Sequence, residues 1–147
     1  MIAFAREPLP EVIDEMRPML EEQWREVAYF KDIPLDPDFD IYLAADKAGK
    51  VRLFTVRDYG ELVGYALFFI GNIQHKTVFT ATQNLVFIHP SYRMGMVGYR
   101  FIKYFDEQLA DEGVSIVYQT VKPAVDYSPL LERLGYEAVE TTYVRRH

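Results

Sequence analysis

The chain has 147 residues, half of them apolar and 15% aromatic, with 22 acidic against 16 basic side chains and a formal charge of −6. That length suits one domain with one proper core, the apolar content excludes a disordered chain, and the acidic balance argues against nucleic acid or an anionic membrane surface as the principal partner. Zero cysteines exclude disulfides, thiolate metal sites and a cysteine nucleophile, and fit a reducing cytoplasm.

The first residues lack the basic-then-apolar order of a signal peptide. Residues 2–6 are short and apolar, a first strand. Leu9, Val12, Ile13, Met16, Leu20, Trp24 and Val27 then recur at three and four, the spacing of an amphipathic helix. Pro18 falls inside that pattern and predicts a kink, or two helices meeting near Arg17. Glu21, Glu22 and Glu26 form either a solvated acidic face or the border of a site that attracts an amine. Residues 31–39 are a proline- and aspartate-rich loop. Asp38 is placed to cap a short helix through Ala45, ended by Gly49. Strands follow over 51–57 and 62–71, joined by the short turn Asp58-Tyr59-Gly60-Glu61. The run 62–70 is the longest apolar one and is too short to cross a bilayer. After a turn over 72–76, a long central strand begins at Thr77.

That strand ends in the continuous apolar run Leu85, Val86, Phe87 and Ile88, the pattern of a strand covered on both faces. His89-Pro90-Ser91 stops it. The turn Arg93-Met94-Gly95-Met96-Val97-Gly98 leads into a helix whose stripe is Val97, Phe101, Ile102, Phe105 and Leu109, with Gly113 as its stop. Such a turn presents unpaired N–H groups at the positive end of a helix, with an arginine beside them and glycines at 95 and 98 that allow unusual backbone angles and close approach of a ligand. It suits a phosphate-bearing ligand. The next strand runs over 114–121, and the helical crossover makes it parallel to the central one. Residues 127–134 read as a short helix and residues 136–145 as a closing strand or hairpin. Repeats and linkers are absent, so residues 1–147 read as a single domain.

The strand end Ile88-His89-Pro90 with the loop from Arg93 to Gly98 resembles the acyl-CoA site of the GNAT superfamily of N-acyltransferases. The later Leu130-Leu131-Glu132-Arg133-Leu134-Gly135-Tyr136 is similar to that superfamily's helix end. The resemblance implies an α+β fold: one GNAT-like domain with about four helices and a mostly antiparallel mixed sheet. One parallel strand pair would splay around the acyl-CoA cleft. It implies acetyl-CoA as co-substrate, no metal, and an amine-bearing acceptor, small molecule or protein. Backbone groups of Val86, Phe87 and Ile88 would pair with the pantetheine arm, and Arg93, Met94, Gly95, Met96, Val97 and Gly98 would cradle the pyrophosphate. Two positions depart from the pattern. Met96 stands where the loop carries its first glycine, with Gly95 one place early. Leu131 stands where many members carry the tyrosine that protonates the thiolate, and Ala124 stands near the place of a common asparagine. The loop variant also resembles acyltransferase-like proteins of tailed phages, which would put the protein in a host cytoplasm.

Acyl transfer needs a positioned amine, a route for its proton, a polarised carbonyl and an acid for the thiolate. Tyr127, one helical turn before Leu131, is the candidate acid, set against a packing or capping role. Asn84, ahead of Gln83 and Thr82, is the candidate to hold a water or the acceptor, set against an ordinary sheet contact. His89 is a weaker candidate base. His75, His89 and His147 have no metal-ligand spacing, and hydrolase and nucleotide-loop motifs are missing. Two readings follow: a cytoplasmic N-acyltransferase, monomer or homodimer, working by direct attack, or a catalytically reduced member that binds acyl-CoA or a protein partner in a regulatory role.

Overall fold

The computed structural model describes residues 1–147, and its elements are laid on one sheet. In chain order they are β1 (Ile2–Arg6), α1 (Leu9–Val27), α2 (Phe39–Lys47), β2 (Val51–Asp58), β3 (Glu61–Ile70), β4 (Thr80–Ile88), α3 (Val97–Asp111), β5 (Ile116–Tyr118) and α4 (Ser128–Arg133). The strands lie in the order β1-β2-β3-β4-β5. The first four are antiparallel and only β4 and β5 run parallel, as the crossover through α3 requires.

Each face of the sheet buries one helical layer. On one side Leu9, Val12, Met16 and Leu20 of α1 meet Leu53, Tyr65, Leu67 and Phe87. On the other, Phe101, Phe105 and Leu109 of α3 meet Phe54, Ala66, Phe68 and Ala81, with Leu131 of α4 joining them. Phe54, Phe68, Phe101 and Phe105 form a ring cluster with centroids 5.1 to 6.1 Å apart. Burying each such side chain contributes roughly 1.5–3 kcal/mol. Salt bridges tie the layers at their rims. Arg57 bonds Glu7 and Glu15, and Arg52 bonds Glu112 at the end of α3.

Local signals hold well. Asp38 accepts from the Ile41 N–H, as a helix cap should, although α2 continues to Lys47. The turn between β2 and β3 has positive φ at both Tyr59 (49°) and Gly60 (85°), the geometry that matches the twist of a two-residue hairpin. Other expectations fail. Of the two alternatives at Pro18, the division into two helices near Arg17 is the one that fails: α1 runs unbroken, its apolar stripe docked on the sheet on both sides of the proline. β4 starts at Thr80, after a 3₁₀ turn at Ile73–His75. β5 is three residues long, not eight, because it leaves β4 after Tyr118. No strand closes the chain. Residues 137–147 are exposed and pair with no strand, since so short a β5 offers them little edge and β-propensity needs a partner surface.

Gly64 is a requirement the sequence did not advertise. A Cβ there would lie 2.8 Å from the Phe87 carbonyl oxygen and 3.2 Å from Ile88 Cα. Only glycine lets β3 and β4 close at this point. Gly64→Ala is expected to cost about 1–3 kcal/mol, as overpacking does, read as a fall in the urea midpoint at unchanged slope. Parental stability in that variant would show that the two strands have slack here.

Candidate active site

The site begins with one extra residue. Leu67 pairs with Leu85 and Phe68 with Gln83, so Asn84 is a bulge in β4. The bulge reverses the alternation of side chains. Val86 and Ile88 face α3, and beyond the bulge so does Ala81, which a regular strand would turn the other way. Below it β4 still pairs with β5, ending at Thr82 with Tyr118. Above it the strands part. Across the opening the Gln83 side chain accepts the Thr120 N–H at 2.8 Å, in place of a ladder bond.

A cleft of about 580 Å³ fills the gap. β4 from Gln83 to Ile88 forms one wall, and Thr120, Lys122, Tyr127 and Leu130 form the other. Gly98 and Phe101 of α3 lie at the base, and Gln23, Trp24 and Glu26 of α1 at one side. The expectation of a strand covered on both faces is therefore corrected. Of the run 85–88 only Phe87 is buried; Leu85, Val86 and Ile88 stay half-exposed because the cleft adjoins them.

The backbone groups divide by alternation. The His89 N–H bonds the Val63 carbonyl, so Phe87 exchanges bonds with Tyr65 across β3 while Val86 and Ile88 point theirs to the cleft. Both of those carbonyls are taken. Gln23 Nε2 donates to the Val86 oxygen at 3.0 Å while its Oε1 accepts the Tyr65 hydroxyl at 2.7 Å. Arg93 Nε donates to the Ile88 oxygen at 2.8 Å.

The turn before α3 has its own pattern. The N–H groups of Met94, Gly95, Met96, Val97, Gly98 and Tyr99 have no acceptor in the protein; the first satisfied one is that of Arg100, bonded to the Met96 carbonyl. Gly95 sits at φ 76°, with open space around it. Gly98 has ordinary helical angles, and its missing Cβ instead admits Leu130, whose Cδ1 would stand 3.3 Å away. The side chains of Met94 and Met96 are exposed. Arg93 stands beside the turn, but its guanidinium holds Glu26 through two bonds of 2.6 Å. That pairing keeps the Glu26 carboxyl below the usual carboxylate range.

Tyr127 lines the cleft from the N-cap of α4. Its hydroxyl donates to Gln119 Oε1 at 3.2 Å, Gln119 Nε2 donates to the Tyr136 oxygen at 3.1 Å, and the Tyr136 hydroxyl donates to Asp106. Burial raises both phenols well above their ordinary range, so both stay protonated. Asn84 Oδ1 accepts the Tyr42 hydroxyl at 2.5 Å. His89 Nδ1 caps the turn by accepting the Ser91 N–H, and its Nε2 lies 3.9 Å from Glu22. The structure thus brings Asn84, Val86, Ile88, Arg93, Gly98 and Tyr127 to one cleft. Phe87 lines it as well, its buried ring packed on the α1 side, whereas Met94, Gly95, Met96 and Val97 do not line it.

Sequence reasoning missed Gln23, Tyr42, Gln119, Tyr136 and Asp106. Gln23 alone left a trace, as a polar residue three places after Leu20 on a core-facing stripe.

Asp106 gives a pH signature. Burial pushes its carboxyl up to about 6, against the opposing pull of the Tyr136 bond. A folded value above the ordinary 3.8 means the ionised form is disfavoured in the fold, so stability rises as pH falls through 6. Glu7 and Glu26 are held low by the hydrogen bonds of Arg57 and Arg93, so their contribution is present above about pH 4.5 and lost below their folded values. The urea midpoint should therefore increase from pH 7.5 to about 5.5 and fall below about 4. In Asp106→Asn the first of these slopes should vanish; if it persists, another group titrates there.

A family model described as Acetyltransferase (GNAT) family matches residues 10–136. No curated protein sequence matches the chain. The solved structures it resembles include the ribosomal-protein-alanine N-acetyltransferase of Brucella melitensis biovar Abortus 2308. That match has a TM-score of 0.73 and 16% identity, covering 100% of this chain and 99% of the other. A predicted acetyltransferase with acetyl-CoA from Clostridium acetobutylicum matches at 0.72 and 8%, covering 99% and 96%. AAC(6')-Iy, in complex with the bisubstrate analog CoA-S-monomethyl-acetylneamine, matches at 0.69 and 17%, covering 100% and 98%.

Proposed function

The chain belongs to the GNAT acetyltransferase family, and on that premise we propose that it moves an acetyl group from acetyl-CoA to an amine by direct attack. The observation that carries this reading is the row of free N–H groups from Met94 to Tyr99, on the turn whose Arg93 and Gly98 line the cleft. Successive amide donors at a helix N-terminus are a receptor for pyrophosphate. From Ile88 down to Asn84 the strand spans roughly 13 Å at ~3.3 Å per residue. A pantetheine arm laid along it would exchange bonds with Val86 and Ile88 and bring the thioester to Asn84. The amine lone pair then attacks the carbonyl carbon and the C–S bond breaks. The thiolate leaves to be protonated, and the amine's surplus proton passes to water. Without cysteine there is no thiol to carry an acyl-enzyme. The same proposal places the protein in the cytoplasm.

One observation favours the second reading, a member with reduced turnover. Leu131, where the family's acid is expected, is 6% exposed and packed in the core, and the Tyr127 proton is turned to Gln119. Thiol release separates the readings. Acetyl-CoA at 100 times its dissociation constant should stabilise the fold by about 2.7 kcal/mol, a melting shift of several degrees. An amine panel should then release free thiol. Stabilisation without release from any amine favours the binding role, and no stabilisation removes both. Tyr127→Phe is expected to keep the rate within a few-fold while losing about 0.5–1.5 kcal/mol of stability. A fall of ~100-fold or more at unchanged acetyl-CoA affinity would assign Tyr127 the acid's role.

Glu26→Gln tests the arginine. It removes a carboxylate from the cleft and loosens the guanidinium for phosphate, so acetyl-CoA should bind several-fold more tightly. Weaker binding would mean that the Glu26–Arg93 pair itself shapes the site.

A further inference from the structure

A second cavity, of about 410 Å³, lies under residues 28–37 between α1, α2 and β4. Fourteen of its 17 lining residues are hydrophobic, including Trp24, Phe30, Ile33, Phe39 and Leu85, and its one charged residue, Asp36, is exposed. It adjoins the cleft, with Leu20, Trp24, Ala28, Leu35 and Leu85 lining both. Its roof is tied down before any ligand arrives. Lys31 Nζ bonds the Trp24 and Arg25 carbonyls, and Arg146 bonds Asp32 at 2.8 Å. The Tyr42–Asn84 hydrogen bond stands where the two spaces meet, Tyr42 lining one and Asn84 the other.

Resting on the acetyl-transfer reading above, we propose that the acceptor is a primary amine bearing a neutral aryl or branched alkyl group. That group fills this cavity while the amine stays at Tyr42 and Asn84. An apolar wall rewards an apolar group and rejects one whose hydroxyls or ammoniums lose water without new partners. A polyhydroxylated amino sugar such as neamine would bring several of these. The polar pair at the junction decides between amine and acyl chain as occupant. Amine N–H groups can bond the lone pairs that the Tyr42–Asn84 bond leaves open on the two oxygens, whereas a methylene chain crossing there would bury them with nothing to offer.

Trp24 is the chain's single tryptophan and lines both spaces, so its fluorescence reports binding without any acyl-CoA. Titration with 2-phenylethylamine should give a saturable change, and neamine at equal concentration none. Ile33→Asp, at a half-exposed position that the core does not need, should weaken the first by at least tenfold with melting unchanged. In the thiol-release assay with acetyl-CoA, kcat/KM for 2-phenylethylamine should exceed that for ethylamine by about 100-fold or more. No saturable fluorescence change, a response indifferent to Ile33→Asp, or preference for neamine overturns the proposal while acetyl transfer stands. So does a rate with ethylamine that climbs from acetyl- to hexanoyl-CoA, which would give the cavity to the acyl chain. Absence of both acetyl-CoA stabilisation and thiol release instead sinks the transfer reading, and with it the acceptor role, even where phenylethylamine binds.

Discussion

The bulge at Asn84 is the constraint from which the rest of the site follows. One residue without a partner on β3 turns Val86 and Ile88 toward α3 and lets β4 part from β5 above Tyr118. Had the ladder continued, the edge of β4 would be filled by β5 and no cleft would exist. The extra residue also turns the Asn84 side chain toward α2, where the Tyr42 hydroxyl meets it. One backbone irregularity thus opens the space on one face of the sheet and sets it beside the cavity on the other.

Opening a sheet exposes backbone groups that need partners. Here α1 and the turn supply them in advance through Gln23 and Arg93. At the Val86 and Ile88 carbonyls a ligand pairing along β4 would therefore replace existing bonds, and an exchange of one good hydrogen bond for another is worth little net. Affinity must come instead from groups that have no partner beforehand. Those are the N–H groups of Val86 and Ile88, the N–H row of Met94 to Tyr99 and the half-exposed faces of Val86, Ile88 and Leu130. Arg93 straps α1 to the end of β4 through Glu26 and the Ile88 carbonyl.

The fold was legible because its signals are local. Alternation and apolar runs marked β1 to β4, the three-and-four stripe marked α1 and α3, and Asp38 and Gly60 announced a cap and a turn. The loop at Arg93 to Gly98 was legible as a motif, and the cleft does form beside it. What failed depends on distant partners. The length of β5 and the absence of a strand over 137–147 follow from where β4 bends, which no composition records. The Asp106–Tyr136–Gln119–Tyr127 chain links residues up to 30 apart that share no periodicity. Gly64 looked like any glycine in a strand until the Phe87 carbonyl was placed against it.

That hydrogen-bonded chain bears on the chemistry through its direction. Every donor in it points away from the cleft and toward Asp106, which when ionised can only accept. With the carboxyl titrating near 6, the chain is polarised this way at neutral pH, and Tyr127 turns lone pairs rather than its proton to the cleft. A thiolate appearing there would have to draw the phenol proton away from Gln119. The link it must break is 3.2 Å long, at the weak end for an O–H donor. A charged sulfur is the stronger acceptor. An acid aimed elsewhere until charge develops beside it avoids stabilising the thioester ground state and responds only as the C–S bond breaks. The difference between an acid and a packing residue is here one hydroxyl hydrogen, because the ring beneath it packs the same with or without it.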